Sequence, residues 1–131
     1  MQLFVDRAVT AEQLTDVYRR SGLRRPVDDL PRMQRMLENS NLVVSAWDGD
    51  RLMGVARCLA DYAWVCYLSD LAVDRVVQRS GIGKALIARV REHIGPQCQL
   101  LLRSAPEAMT YYPKVGFEQI DNAFFIPRSV P

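Results

Sequence analysis

The spacing of hydrophobic residues along this chain alternates between that of a strand and that of a helix, and turn-forming residues lie at each change. The apolar opening Met1–Val5 predicts a strand. Thr10 and Gln13 form a capping-box pattern ahead of apolar residues at helical spacing. Gly22 is expected to end this first helix in a left-handed conformation. The chain therefore begins with a strand followed by an amphipathic helix.

A second helix and a hairpin follow. Asp28 or Asp29 can cap the helix, since a proline stands in its first turn. Leu42–Trp47 then reads as a strand, Asp48–Asp50 as a tight turn, and Arg51–Leu59 as an antiparallel partner strand. The hairpin signal is strong because the turn residues lie directly between two apolar runs.

The second half of the chain alternates strands with helices. A strand is predicted at Trp64–Val73, and from Ser80 the apolar residues recur at helical spacing until Gly95 and a proline stop the helix. The remaining predicted elements are a strand at Gln99–Arg103, a short helix around Pro106–Tyr111, and strands near Phe117–Ile120 and Phe124–Ile126. The order β-α-α-β-β-β-α-β-α-β-β predicts an α/β (α+β) fold with a mixed sheet.

Size and composition narrow the class of protein. The 131 residues are predicted to form a single domain, residues 1–131. The net charge of +2 is too small to indicate nucleic-acid binding, and no apolar stretch reaches the roughly 20 residues of a membrane span. The N-terminus does not read as a signal peptide, which favours a cytoplasmic location. Three cysteines without paired spacing and a single histidine indicate reduced thiols and no metal site.

The candidate chemistry lies in the turn Gln78-Arg79-Ser80-Gly81-Ile82-Gly83, between a strand and a helix. Such a turn presents free backbone N–H groups and the positive end of a helix dipole, which together form an anion site. A nucleotide P-loop is excluded because Ala85 follows Gly83-Lys84 where serine or threonine is required. A dinucleotide fingerprint fails because Leu86 replaces its third glycine.

The same turn resembles the Q/R-x-x-G-x-G/A signature of the GNAT family of N-acetyltransferases, which bind the pyrophosphate of coenzyme A. Two further segments support the resemblance. Leu71-Ala72-Val73 is similar to the end of the family's fourth strand, and Tyr111–Phe117 is similar to its F-Y-x-K-x-G-F segment. The predicted order of elements also matches the family's fold, in which strands 4 and 5 splay apart.

The resemblance implies a site for acetyl-CoA as cosubstrate. In the family, the pantetheine arm enters the gap between the splayed strands, which implies that the backbone of Leu71, Ala72 and Val73 contacts it. The resemblance also implies that the pyrophosphate binds at the glycine turn. The residues implied there are Gln78, Arg79, Ser80, Gly81, Ile82, Gly83 and Lys84.

The resemblance further implies transfer of an acetyl group to a primary amine by direct attack. Tyr112 corresponds to the family's donor to the leaving thiolate, with a packing role as the alternative.

Asp70 is the one carboxylate on the fourth strand. It is a candidate to act through water, to hold a cationic amine, or to be structural. Asp61 is a second candidate contact for a cationic acceptor, or a solvated turn residue. The backbone N–H of Leu71 or Ala72 is the candidate oxyanion donor.

Several functional alternatives stay open at the level of sequence. A non-catalytic acyl-CoA sensor would keep the glycine turn without needing a leaving-group acid. A nucleic-acid-binding domain would use the Arg19–Arg25 cluster, although a solvated helix face explains those arginines. The acceptor is a small-molecule or peptide amine of undetermined identity. The chain is short for the family, which leaves open a homodimer in which C-terminal strands pair or exchange.

Overall fold

Five strands form one mixed sheet with the order β1-β2-β3-β4-β5 in a computed structural model that describes residues 1–131. All neighbours are antiparallel except β4 and β5, which are parallel. The strands are β1 (Gln2–Val5), β2 (Leu42–Asp48), β3 (Arg51–Ala60), β4 (Val65–Val73) and β5 (Gln99–Leu101). The helices are α1 (Ala11–Ser21), α2 (Leu30–Glu38), α3 (Ile82–Ile94) and α4 (Tyr111–Lys114), with 3-10 turns at Arg75–Val77 and Pro106–Ala108. The predicted α/β class with a mixed sheet is confirmed.

The helix boundaries follow the local signals in the sequence. Thr10 caps α1, and both bonds of its capping box with Gln13 are present. Gly22 ends α1 with a φ of 82°, in the left-handed region that glycine occupies without steric cost. Asp29 caps α2 by accepting a hydrogen bond from the Arg32 N–H. None of these helices has the length and apolar character to cross a membrane.

Two hydrophobic clusters cover the two faces of the sheet. On one face, α1 and α2 bury Leu14, Val17 and Met33 against β2 and β3. On the other face, α3 buries Leu86 and Val90 against β2, β3 and β4. The end of β4 therefore lies between α1 on one face and α3 on the other, with Ala72 buried beneath α1.

Strands β4 and β5 separate soon after they pair. Their parallel register covers Val65–Tyr67 against Gln99–Leu101 and goes no further. The six residues of β4 that follow, 68–73, have no strand beside them on that edge, a length of about 20 Å. The register between β3 and β4 also shifts, so that Ser69 bulges out of the ladder. The sheet therefore opens into a gap at the middle of β4.

The two late strands predicted near Phe117–Ile120 and Phe124–Ile126 do not form within this chain. The last backbone N–H that finds a partner is that of Phe117, which donates to Tyr112 at the end of α4. From Glu118 onward the residues are exposed and belong to no ladder. Apolar character alone does not make a strand, because a strand needs a partner for its N–H and C=O groups.

Candidate active site

The glycine turn exposes a row of free backbone N–H groups. Arg79 and Gly81 both adopt positive φ, of 69° and 88°, which turns their peptide groups outward. The N–H groups of Arg79 and of residues 81–84 donate to no acceptor within the chain. The first intrahelical bond of α3 comes from Ala85 to the Gly81 carbonyl. The turn is therefore an N-terminal cradle for an anion, with the helix dipole aimed at it.

The side chains around the turn have two roles: some donate hydrogen bonds to nearby backbone carbonyls, and others are cations without an ion pair. The Gln78 amide donates to the Val73 carbonyl at 2.8 Å and ties the turn to the end of β4. The Ser80 hydroxyl donates to the Val77 carbonyl. Arg79 and Lys84 are exposed and form no ion pair. Gln78 and Ser80 thus shape the turn, while Arg79 and Lys84 leave positive charge beside it.

Gly83 has a further steric reason to be glycine. A Cβ atom at this position would lie 2.6 Å from the Tyr111 hydroxyl and 3.8 Å from the Val73 side chain. The start of α3, the end of β4 and α4 therefore converge at one point. Because Gly83 lacks a side chain, the Tyr111 phenol reaches the opening between the glycine turn and the β4 edge.

The free edge of β4 presents alternate backbone groups to the gap. The Asp74 N–H donates to the Met53 carbonyl, so Asp74 faces β3. Backbone groups alternate in direction along an antiparallel strand, which turns Ala72 toward β3 and Leu71 and Val73 toward the gap. The Val73 carbonyl accepts from Gln78 across that same edge, in agreement with this assignment. Of the two candidate oxyanion donors, the Leu71 N–H faces the gap.

Tyr112 lies on the α3 side of the gap in an aromatic cluster. Its ring makes edge-to-face contacts with Tyr111 at 5.2 Å and with Phe117 at 5.5 Å between centroids. Its hydroxyl has no hydrogen-bond partner in the chain. Burial and the neighbouring Tyr111 raise the pKa of Tyr112, and the Arg25 charge lowers it in part. The phenol therefore keeps its proton at neutral pH.

Asp70 lies at the centre of a buried polar network on β4. Tyr18 Oη and Arg57 Nε donate to its Oδ2, each at 2.5 Å, and Arg25 Nε donates to its Oδ1 at 2.5 Å. The residue is 1% exposed. Burial alone raises the pKa of Asp70, but the hydrogen bond and charge of Arg57, together with Arg25, outweigh burial and lower it. The carboxylate is ionised, with both of its oxygens engaged.

Asp61, the other candidate carboxylate, organises the turn before β4. Its Oδ1 accepts from three consecutive backbone N–H groups, those of residues 63–65, at 2.7–3.0 Å. These bonds lower the pKa of Asp61. The arrangement fits the structural alternative for this residue rather than contact with an acceptor.

The sequence alone assigned no role to the arginines of the Asp70 network. Arg25 donates to the Ser69 carbonyl at 2.8 Å as well as to Asp70. Arg57 is almost fully buried and reaches Ser69 and Ser40. These contacts join residues 12 to 45 positions apart. One signal was available for Arg57, since an arginine inside a strand of apolar residues needs a buried counter-charge.

Comparison with known proteins agrees with this geometry. The fold, the splayed strands and the anion cradle define the class of acetyltransferase domains. The sequence profile described as "Acetyltransferase (GNAT) domain" matches residues 14–126, and the chain belongs to this family.

One curated relative is 31% identical over 100 residues. It is an uncharacterised ycf52-like N-acetyltransferase of Prochlorococcus marinus. The match covers 72% of this chain and 54% of the relative, so the matched region spans about half the length of that protein.

Solved structures share the fold at lower identity. A probable acetyltransferase of meticillin-resistant Staphylococcus aureus superposes with a TM-score of 0.80 at 21% identity, over 97% of this chain and 100% of that one. A GNAT family protein of Streptococcus pneumoniae superposes with a TM-score of 0.73 at 23% identity, over 97% of this chain and 98% of that one. An aminoglycoside N-acetyltransferase in complex with CoA superposes with a TM-score of 0.71 at 17% identity, over 98% of this chain and 95% of that one. These likenesses concern the fold.

Replacing Asp70 by Asn tests the buried network. Asp70→Asn leaves two arginines without their counter-charge and is expected to lower the free energy of unfolding by about 3 kcal/mol at pH 7. Because folding lowers the pKa of Asp70, the carboxylate stabilises fully above the ordinary aspartate value of 3.8 and loses this effect as the pH falls through the folded-state pKa. The difference in the free energy of unfolding between the wild type and Asp70→Asn should therefore be constant near neutral pH and become smaller below about pH 4.

Urea unfolding followed by circular dichroism measures this difference. Asp28→Asn is the control, because Asp28 pairs with Arg19 while its side chain is 96% exposed. The control should match the wild type. A stability of Asp70→Asn equal to that of the control would contradict the network.

Proposed function

We propose that this chain transfers the acetyl group of acetyl-CoA to a primary amine by direct attack within a ternary complex. The observation that carries the proposal is the continuity of the anion cradle with the open edge of β4. The N–H groups of residues 81–84 have no acceptor within the chain, and the gap-facing N–H groups of Leu71 and Val73 follow along the edge of β4. A ligand with a pyrophosphate and an extended amide-bearing arm fits both features.

The chain's residues fit acetyl-CoA in distinct ways. The free N–H groups of Arg79 and of residues 81–84, with the cations Arg79 and Lys84, suit a pyrophosphate. The backbone of Leu71 and Val73 offers the hydrogen bonds that an extended chain needs along a strand edge. Gln78, Ser80 and Ile82 hold the turn in shape, and Ala72 anchors the edge by packing on the α1 side. Bound acetyl-CoA supplies the activated acetyl group.

Two groups in the gap suit the chemistry of acetyl transfer. The Leu71 N–H can donate to a carbonyl oxygen as negative charge develops on it. The Tyr112 hydroxyl, protonated at neutral pH, can donate to the departing sulfur. Asp70 has no free oxygen to accept a proton, so we assign it a positioning role for Arg25 and Arg57. The acceptor amine then loses its proton to solvent.

The sensor alternative predicts binding without transfer. A sensor would use the cradle and the β4 edge but would place no demand on the Tyr112 hydroxyl. The Tyr112 hydroxyl makes no hydrogen bond within the chain and is not closed off from solvent, so it is free to donate to a ligand, which supports an enzyme over a sensor.

Replacing Gly83 by Val is expected to weaken acetyl-CoA binding. A side chain here meets the Tyr111 hydroxyl and fills the opening beside the cradle. Calorimetric titration with acetyl-CoA should show binding to the wild type and a loss of at least about tenfold in affinity for the variant. Ala88→Val adds a β-branched side chain at an exposed position of the same helix and should bind as the wild type does. Equal binding by Gly83→Val and Ala88→Val would refute the cradle as the CoA site.

Replacing Tyr112 by Phe separates catalysis from binding. We expect kcat to fall by about a hundredfold with acetyl-CoA affinity unchanged, because only the proton donor is removed. Release of CoA with a panel of primary amines measures the rate, and calorimetry measures the binding. Tyr111→Phe is the matched control, since it removes the neighbouring phenol. An unchanged kcat in Tyr112→Phe would show that the ring only packs.

We also propose that the chain forms a homodimer through its C-terminal segment, residues 118–131. The segment is exposed and contains Phe124 and Ile126, which are 98% and 95% exposed. In the same chain, β5 has one unpaired edge. In a dimer, the C-terminal segment of one copy can pair with the free β5 edge of the other copy, and the reverse pairing completes the second sheet.

Light scattering after size exclusion should report a dimer at micromolar concentration. Phe124→Lys combined with Ile126→Lys should give a monomer, because both charges would be buried in the interface. Gln119→Lys with Ser129→Lys adds the same two positive charges at exposed polar positions of the segment and should leave the dimer intact. A monomeric wild type would refute the proposal.

A further inference from the structure

Arg25 occupies an unusual position beside the gap. It belongs to the loop between α1 and α2, on the opposite face of the sheet from α3 and the glycine turn. Its guanidinium reaches β4 at the bulge, where it contacts Asp70 and the Ser69 carbonyl. Tyr112 packs against the α3 cluster on the other face of the sheet. The two side chains therefore flank the gap from its two faces.

The guanidinium is held rigidly but is not saturated. Its Nε donates to Asp70 at 2.5 Å, one Nη to the Ser69 carbonyl at 2.8 Å and the other to the Arg24 carbonyl at 2.6 Å. An arginine carries five N–H donors, so two remain without a partner. The side chain is 29% exposed. A fixed, partly exposed guanidinium with free donors is a preorganised site for a planar anion.

The surroundings of Arg25 do not suit a cationic acceptor. Asp70 is buried and fully engaged, Asp28 pairs with Arg19, and Asp29 caps α2. Arg24, next in the chain, is exposed and its side chain makes no ion pair. Beside Arg25 the loop offers a second, exposed arginine, while the carboxylates nearby each contact an arginine or cap α2, which disfavours a polyamine at this point.

The direction of entry links Arg25 to the acceptor. The cradle places the CoA pyrophosphate at the N-terminus of α3, on one face of the sheet. An amine that attacks a group in the gap without displacing CoA approaches from the α1–α2 face, where Arg25 lies. We propose that the acceptor is a primary amine that also carries a carboxylate, and that Arg25 binds this carboxylate. The inference rests on the proposed acetyltransferase function.

Matched acceptors test this assignment. The wild type is assayed for CoA release with a mixture of α-amino acids, with the corresponding α-carboxamides, and with spermidine. We expect the acids to be used at least about tenfold better than the amides, because the amides cannot pair with the guanidinium. The amides carry amines of lower pKa, so a larger fraction of them is unprotonated at neutral pH, which makes the comparison stringent.

Two variants separate recognition from folding. Arg25→Lys keeps a positive charge beside Asp70 but loses the planar guanidinium. The ratio of the rate with acids to the rate with amides should therefore fall toward one, while the rate with amides is retained. Arg24→Gln removes the neighbouring exposed charge and should keep the preference. Thermal melts of both variants report their folding. Equal loss of activity toward acids and amides in a folded Arg25→Lys would overturn carboxylate recognition.

A direct readout distinguishes failure of this inference from failure of the proposed function. The Nε–Hε signal of Arg25 is followed by NMR while the amino acids, and separately the amides, are added to the CoA-bound protein. A shift with acids only supports the assignment. Absence of a shift with acids, or transfer to amides or spermidine at rates equal to the acids, overturns it and leaves the acetyltransferase intact. Absence of acetyl-CoA binding in calorimetry overturns both.

Discussion

The ionised carboxylate of Asp70 is the interaction on which the middle of this structure depends. It joins four separate pieces of the chain, because Tyr18 comes from α1, Arg25 from the α1–α2 loop, Arg57 from β3 and Asp70 itself from β4. Burying a carboxylate is costly unless its charge and lone pairs are matched. Here two guanidinium groups and a phenol match them. The network fixes where the first two helices lie over the sheet.

The network also stabilises the irregularity of β4. The bulge at Ser69 removes one residue from the ladder with β3 and leaves its carbonyl outside the regular pattern. Arg25 donates to that carbonyl, while Arg57 donates to the Ser69 hydroxyl. Polar groups released by the bulge are thus satisfied by the same arginines that neutralise Asp70. The Ser69 carbonyl and hydroxyl therefore keep partners at the point where the sheet opens between β4 and β5.

Sequence reasoning succeeded where the physical cause is local. The caps at Thr10 and Asp29 and the left-handed Gly22 depend on residues within a few positions, and the structure shows each of them. It failed for Arg25, whose partner Asp70 lies 45 positions away and whose charge pattern is also that of a solvated helix end. It failed for the late strands because strand formation depends on a partner, which an apolar run does not specify.

The same distinction explains why the cofactor side of the site is easier to read than the acceptor side. The cradle consists of backbone N–H groups, and glycine spacing in the sequence reports backbone shape directly. The acceptor side consists of side chains brought together from distant segments, so its chemistry follows from tertiary contacts. Arg25 acquires a fixed orientation only because β4 bulges at Ser69 and places Asp70 beneath it. The bulge that lies beside the gap thus also orients the free donors of Arg25 at the edge of that gap.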